Sequence, residues 1–294
     1  MRSVGPAMLP PSSVTLLDKR AGFHIEGRGR PVVLLHTSMG SKGQWRALVE
    51  RMRRSHRLIA IDLHGYGSTP MPAGPDAFTL QQEVALIDSV LRVGLLPGER
   101  FHLVGHSYGA AVALRMAHAR PQRLHSLTLF EPVALNLLPE AHAGRRELEG
   151  VRDEMLRWSE SGDPRRGAEH FIDYWTGEGT FAQLPAKAQQ TLAQLVPKTA
   201  LDFAAVSRET LCVDDCRRIT VPACLLSGND SLQVAHDVLD ALANVLPRAS
   251  RQRVPGGHMA PVTHPDLVNP VIDAFIRGVD ALDVSRATRV GRAA

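Results

Sequence analysis

Phe101-His102-Leu103-Val104-Gly105-His106-Ser107-Tyr108-Gly109-Ala110-Ala111 decides how this chain is read. A mostly apolar strand-like run enters a Gly-x-Ser-x-Gly turn, and the turn opens at once into the helical run 111–119. A serine hydroxyl is a poor nucleophile, and the tip of a sharp strand-to-helix turn holds it clear of its own backbone. There the helix N-terminus favours developing negative charge, and the N–H of the following residue faces the reacting oxygen. Gly105 and Gly109 remove the side chains that would block so tight a turn. The competing reading, a plain βα turn, accounts for the glycines but leaves the serine without a reason. Ser107 is therefore the candidate nucleophile.

Outward from this stretch, strands and helices alternate. Residues 14–17 and 23–26 read as short strands joined by a turn over 19–22, and 32–35 and 58–61 as continuous apolar strands covered on both faces. Trp45, Leu48, Val49 and Met52 fall at helical spacing, which predicts an amphipathic helix over 42–54; Leu80, Val84, Ile87 and Leu91 predict another. Residues 124–130 form the next strand, ended by Glu131-Pro132. The pattern implies an α/β fold, a mostly parallel sheet with helices on both faces, whose ligands bind beyond the carboxyl ends of the strands. From 133 to 217 helical spacing dominates, with Met155, Trp158, Phe171 and Trp175 among its large residues. Strands resume at 221–226 and 250–254, a closing helix covers 267–275, and the basic stretch beyond 281 reads as a loose tail.

Four motifs carry a resemblance: His36-Thr37-Ser38-Met39-Gly40, Asp62-Leu63-His64-Gly65-Tyr66-Gly67-Ser68, the turn at Ser107, and Gly256-Gly257-His258. With these the chain is similar to the α/β-hydrolase superfamily over nearly all its length. The resemblance implies a hydrolase core at 14–134 and 216–280, a helical cap at 135–215, and flexible tails at 1–13 and 281–294. It implies a serine–acid–histidine order, with His258 as the base; His264 is a rival that reads better as the cap of the final helix. Two carboxylates compete for the acid. The usual family position lies three residues after a strand-ending glycine, but Gly228 is followed by Asn229, Asp230 and Ser231. Glu131 ends the preceding strand, where some branches, haloalkane dehalogenases among them, carry their acid. Glu131 is preferred and Asp230 stays open. The oxyanion donors implied are the N–H groups of Tyr108 and Ser38, with Thr37 standing where the family has glycine. The Asp62–Ser68 motif lacks the lysine and helix of a phosphate loop, and the resemblance gives it a structural role.

Composition narrows the function. The chain has 294 residues, 44% hydrophobic and 22% charged, enough for a large core. A net charge of +4 comes without a basic patch or recognisable module, which argues against nucleic-acid binding. No run reaches the ~18 apolar residues of a membrane span, and the proline-broken start offers no signal peptide, so no membrane partner is expected. Cys212, Cys216 and Cys224 form an odd set that suits a reducing compartment; the cytoplasm is expected, with no metal and no cofactor. The expected partner is a small-molecule substrate with an apolar portion. The leading activity is hydrolysis of an ester, thioester or lactone through a Ser107 acyl-enzyme. Dehalogenase and epoxide hydrolase chemistry would need a carboxylate where Ser107 stands. The alternatives are C–C bond hydrolysis or cofactor-free perhydrolysis on the same residues, and a non-catalytic ligand-binding protein.

Overall fold

The alternating apolar runs become the strands of one eight-stranded sheet in the computed structural model, which describes residues 13–16 and 19–291. In chain order these are β1 (Ser13–Leu16), β2 (Lys19–Gly27), β3 (Arg30–Leu35), β4 (His56–Ile61), β5 (Phe101–His106), β6 (Leu124–Phe130), β7 (Ala223–Gly228) and β8 (Ala249–Val254). The spatial order is β1-β2-β4-β3-β5-β6-β7-β8, antiparallel only where β2 meets β1 and β4. Val32 to Leu35 and the whole of β5 are buried, as strands covered on both faces must be. β8 is the edge and is largely solvent-facing, with Ser250, Gln252 and Arg253 exposed and Val254 buried.

The helices are α1 (Arg46–Met52), α2 (Leu80–Gly94), α3 (Tyr108–Ala119), α4 (Ala143–Glu160), α5 (Pro164–Thr176), α6 (Ala186–Ser207), α7 (Val213–Cys216), α8 (Gln233–Ala243), α9 (Ala260–Thr263) and α10 (Pro265–Gly291). Trp45, Leu48, Val49 and Met52 are buried as their spacing predicts, but Trp45 lies in a 3-10 turn before α1, which is shorter than expected. Thr79 and Gln82 close a capping box that starts α2. Helices α4 to α7 lie between β6 and β7. They form a helical cap with a small core of its own, built on Val151, Met155, Phe171, Phe181 and Val196. Asp163 caps α5 by accepting from the Arg166 N–H, with Pro164 behind it.

Two expectations are corrected. The turn placed at 19–22 is strand: Leu16 pairs with Lys19 and Ser13 with Gly22. The tail placed from 281 onward is helix as far as Gly291. Its polar residues suggested looseness, yet Asp283 pairs with Arg30 and His125, and just before the expected tail Asp280 accepts from His56 and His102. Residues 1–12, part of the other expected tail, lie outside the described residues. Among the described residues no helix is long and apolar enough to cross a membrane.

Candidate active site

Ser107 sits between β5 and α3 with φ 55° and ψ −115°, a conformation that L-residues rarely adopt and that costs roughly 1–3 kcal/mol. Crowding forces the glycines around it. A Cβ on Gly105 would lie 2.4 Å from the Gly109 carbonyl oxygen, and one on Gly109 would lie 2.4 Å from the His36 carbonyl oxygen. The Ser107 N–H donates to Phe130 O at 2.9 Å, which anchors the turn to β6.

His258 follows β8 on a loop that Gly256 turns with φ 94°. Its Nε2 lies 3.0 Å from Ser107 Oγ, and its Nδ1 lies 2.7 Å from Glu131 Oε2. With Glu131 ionised, Nδ1–H donates to it and Nε2 is left to accept the Ser107 hydroxyl. Glu131 itself has φ 44°. Its N–H donates to Leu226 O, while its Oε1 accepts from the Gly228 N–H at 2.7 Å and the Ser231 hydroxyl at 2.5 Å. Burial pushes this carboxyl up, but the hydrogen bonds from His258, Ser231 and Gly228 outweigh it and hold the group below the usual carboxylate range.

Asp230, the alternative acid, does not reach His258. It is exposed, and its backbone N–H is spent on Gly256 O. The residue three after Gly228, where the resemblance implies an acid, is Ser231, and it donates to Glu131 instead. His264 is exposed and begins α10, its carbonyl accepting from the Leu267 and Val268 N–H groups.

Ser38 and Tyr108 both line the same cavity as Ser107. Their backbone N–H groups make no intramolecular hydrogen bond among the described residues. Thr37 is tolerated in place of glycine because the left-handed turn of the loop falls on Met39, at φ 56°. Met39, Ser107 and Glu131 are the non-glycine residues with positive φ among those described, and all three border this site. His36 braces the loop: its Nδ1–H donates to Thr37 O and its Nε2 accepts from the Leu63 N–H. An imidazole with one nitrogen accepting is neutral, and burial holds it there, lowering it to about 4. Asp62 receives Lys42 and the Ser68 N–H, which ties its motif beside the site as a structural element.

The cavity has a volume of about 30 Å³. Its walls are apolar, from Val133, Leu148, Phe171 and Val206 among others, apart from Ser38, Ser107 and Asp202. Phe171 thus serves both the cap core and the wall, whereas Met155 belongs to the core alone.

Four neighbours escaped the sequence reading. Trp175 of α5 stacks on the His258 ring, centroids 4.0 Å apart and planes inclined by 24°. His106 donates from Nε2 to His258 O at 2.8 Å and accepts from Gln44 at Nδ1; burial holds it well below the usual histidine value. Lys198 and Asp202 of α6 are buried beside Ser38. The i, i+4 spacing of Lys198 and Asp202 was visible, but such a pair is usually a solvated helix face.

Comparison with known proteins agrees with this architecture. The family model described as alpha/beta hydrolase fold matches residues 30–265. RutD from Klebsiella pneumoniae, which carries a provisional carbamate hydrolase name, is 28% identical over 280 residues, covering 89% of this chain and 96% of its own. A 2-hydroxy-6-oxo-2,4-heptadienoate hydrolase from Pseudomonas putida is 34% identical over 39% of this chain and 41% of its own. Among solved structures, a thermophilic esterase from Thermogutta terrifontis superposes with a TM-score of 0.74 at 25% identity, covering 91% of this chain and 98% of that one.

Proposed function

This chain belongs to the α/β-hydrolase fold family, and from that premise we propose that it hydrolyses carboxylic esters, thioesters or lactones through an acyl-enzyme on Ser107. The observation that carries the reading is the continuous hydrogen-bonded path from Ser107 Oγ through the His258 ring to Glu131. Ser107 Oγ attacks the substrate carbonyl while its proton passes to His258 Nε2, and Glu131 stabilises the imidazolium so formed. The N–H groups of Ser38 and Tyr108 receive the oxyanion. The leaving alkoxide or thiolate takes the proton from His258. Water then gives a proton to the same nitrogen as it attacks the acyl carbon, and the adduct collapses to the acid as Ser107 Oγ leaves and takes that proton back from His258. The core at 14–134 and 216–280 supplies these groups and the cap at 135–215 roofs them. Relatives named as hydrolases and an esterase of the same fold support this class of chemistry.

The apolar wall and the small cavity favour a short, apolar acyl group. The three free cysteines accord with a reducing compartment, the cytoplasm. Rapid mixing with p-nitrophenyl butyrate tests the proposal. A burst of one nitrophenolate per chain, then steady turnover at least tenfold faster than with the octanoate, is expected. No burst and no turnover on any p-nitrophenyl ester would refute it.

A further inference from the structure

Three charged side chains beside Ser107 stand outside the Ser107–His258–Glu131 path. Glu83 of α2 and Lys198 and Asp202 of α6 are 0%, 1% and 3% exposed. Lys198 Nζ donates to Asp202 Oδ1 and lies 3.5 Å from Glu83 Oε1. It also sits 4.7 to 4.9 Å from the ring centres of Tyr66, Phe78 and Tyr108. Two buried carboxylates from opposite sides of the cap–core boundary therefore share one ammonium.

Each carboxylate holds a residue that borders the nucleophile. Asp202 Oδ2 accepts from Ser38 Oγ at 2.6 Å and from Tyr66 Oη at 2.5 Å. Glu83 Oε1 accepts from Tyr108 Oη at 3.2 Å, and its Oε2 accepts from the His64 N–H and Nδ1. Ser38 and Tyr108 both line the cavity with Ser107, and the N–H of neither makes a hydrogen bond among the described residues. They come from separate elements, Ser38 from the loop after β3 and Tyr108 from the first turn of α3, and a polar bridge between their side chains runs Ser38–Asp202–Lys198–Glu83–Tyr108. The middle of that bridge belongs to the cap. Phe203 and Val206 of the same helix form part of the cavity wall, so the helix that meets the acyl group also holds the bridge.

We propose that Lys198 and Asp202 are positioning residues that set the spacing of the two oxyanion donors, so that the oxyanion site is complete only when α6 is seated on the core. This rests on the serine-hydrolase reading. Loss of one such donor lowers kcat by about 10²–10³, and displacement of both by a fraction of an ångström should cost part of that. A merely structural ion cluster would behave otherwise, since replacing a buried ionic group by neutral residues of similar size often leaves a protein intact.

The double exchange Lys198→Met with Asp202→Asn separates the two cases. Lys198→Met alone strands two buried carboxylates, whereas the double variant removes both charges together and leaves Glu83 its bonds from His64 and Tyr108. Circular dichroism melts establish that it is folded. With p-nitrophenyl butyrate, kcat should fall about 10- to 100-fold while KM stays within about threefold. Affinity for a butyl boronic acid, which mimics the tetrahedral adduct, should fall by the same factor as kcat/KM. A folded double variant with unchanged kcat, or one whose loss lies in KM alone, overturns the proposal. Wild-type protein that neither turns over the ester nor binds the boronic acid would overturn the hydrolase reading itself.

Discussion

The sheet carries a serine–histidine–carboxylate array at each end. At the carboxyl ends of the strands Ser107, His258 and Glu131 lie within 3.0 and 2.7 Å of one another. At the amino ends Ser126 Oγ lies 2.7 Å from His102 Nδ1, and His102 Nε2 lies 3.1 Å from Asp280 Oδ1. Distances alone do not tell the two apart. Ser126 is a fully buried residue within β6, His102 stacks on His125, and Asp280 also serves His56. Ser126 does not line the cavity at Ser107, and its backbone is not in the left-handed region. Ser107 has what Ser126 lacks: a raised turn, a cavity, and two unpaired N–H groups on residues beside it. The lower array is a clasp between sheet and α10; the upper one has the setting that the proposed chemistry requires. The difference lies in access, strain and the place for a developing charge, not in three side chains in a row.

The sharpest way to break this comparison is to remove each serine. Ser107→Ala should lower kcat by at least about 10³-fold at unchanged melting temperature, whereas Ser126→Ala should leave kcat within about twofold; steady-state rates on a p-nitrophenyl ester read both. Removing the acids comes next. Glu131→Gln should cost about 10²–10⁴ in kcat, because an amide holds the His258 tautomer less well and cannot stabilise its cation. Asp230→Asn, by contrast, should stay within about twofold.

Acid should then weaken the fold more than any single exchange at the lower array. Burial lowers His36 and His125 to about 4, and lowers His102 as well. Such groups bind protons in the unfolded chain but not in the native one between pH 6.5 and about 4, so stability is full above that window and falls as pH drops through it. For fully buried His36 the loss is on the order of 3 kcal/mol, readable as a lower urea midpoint at pH 4.5 than at pH 7. Last, Asp280→Asn should cost roughly 1–3 kcal/mol of stability, since it strips the carboxylate from His56, His102 and Arg30, while kcat stays the same.

Ser107 and His258 were legible because their surroundings are local: a strand, a turn and small residues written consecutively. The acid was legible only as a preference for Glu131 with Asp230 left open, for a physical reason. Glu131 reaches His258 only because its own backbone turns to φ 44° at the end of β6, and no spacing in the sequence records that twist. Ser231 made the matter harder, occupying the expected acid position while supporting the acid from the next strand. The sheet was read almost strand for strand, since burial on both faces leaves continuous apolar runs. Trp175, Lys198 and Asp202 were invisible as site residues because cap helices are placed by long-range packing. Asp283 was read as tail for the same reason: its partners Arg30 and His125 are more than 150 residues away in sequence.

The most direct test is to treat the protein with a fluorophosphonate and locate the adduct by peptide mass spectrometry. A single adduct per chain, on Ser107 and absent from the His258→Ala variant, is the predicted result. An adduct on Ser126, or ester hydrolysis that persists with Ser107 unmodified, would contradict it.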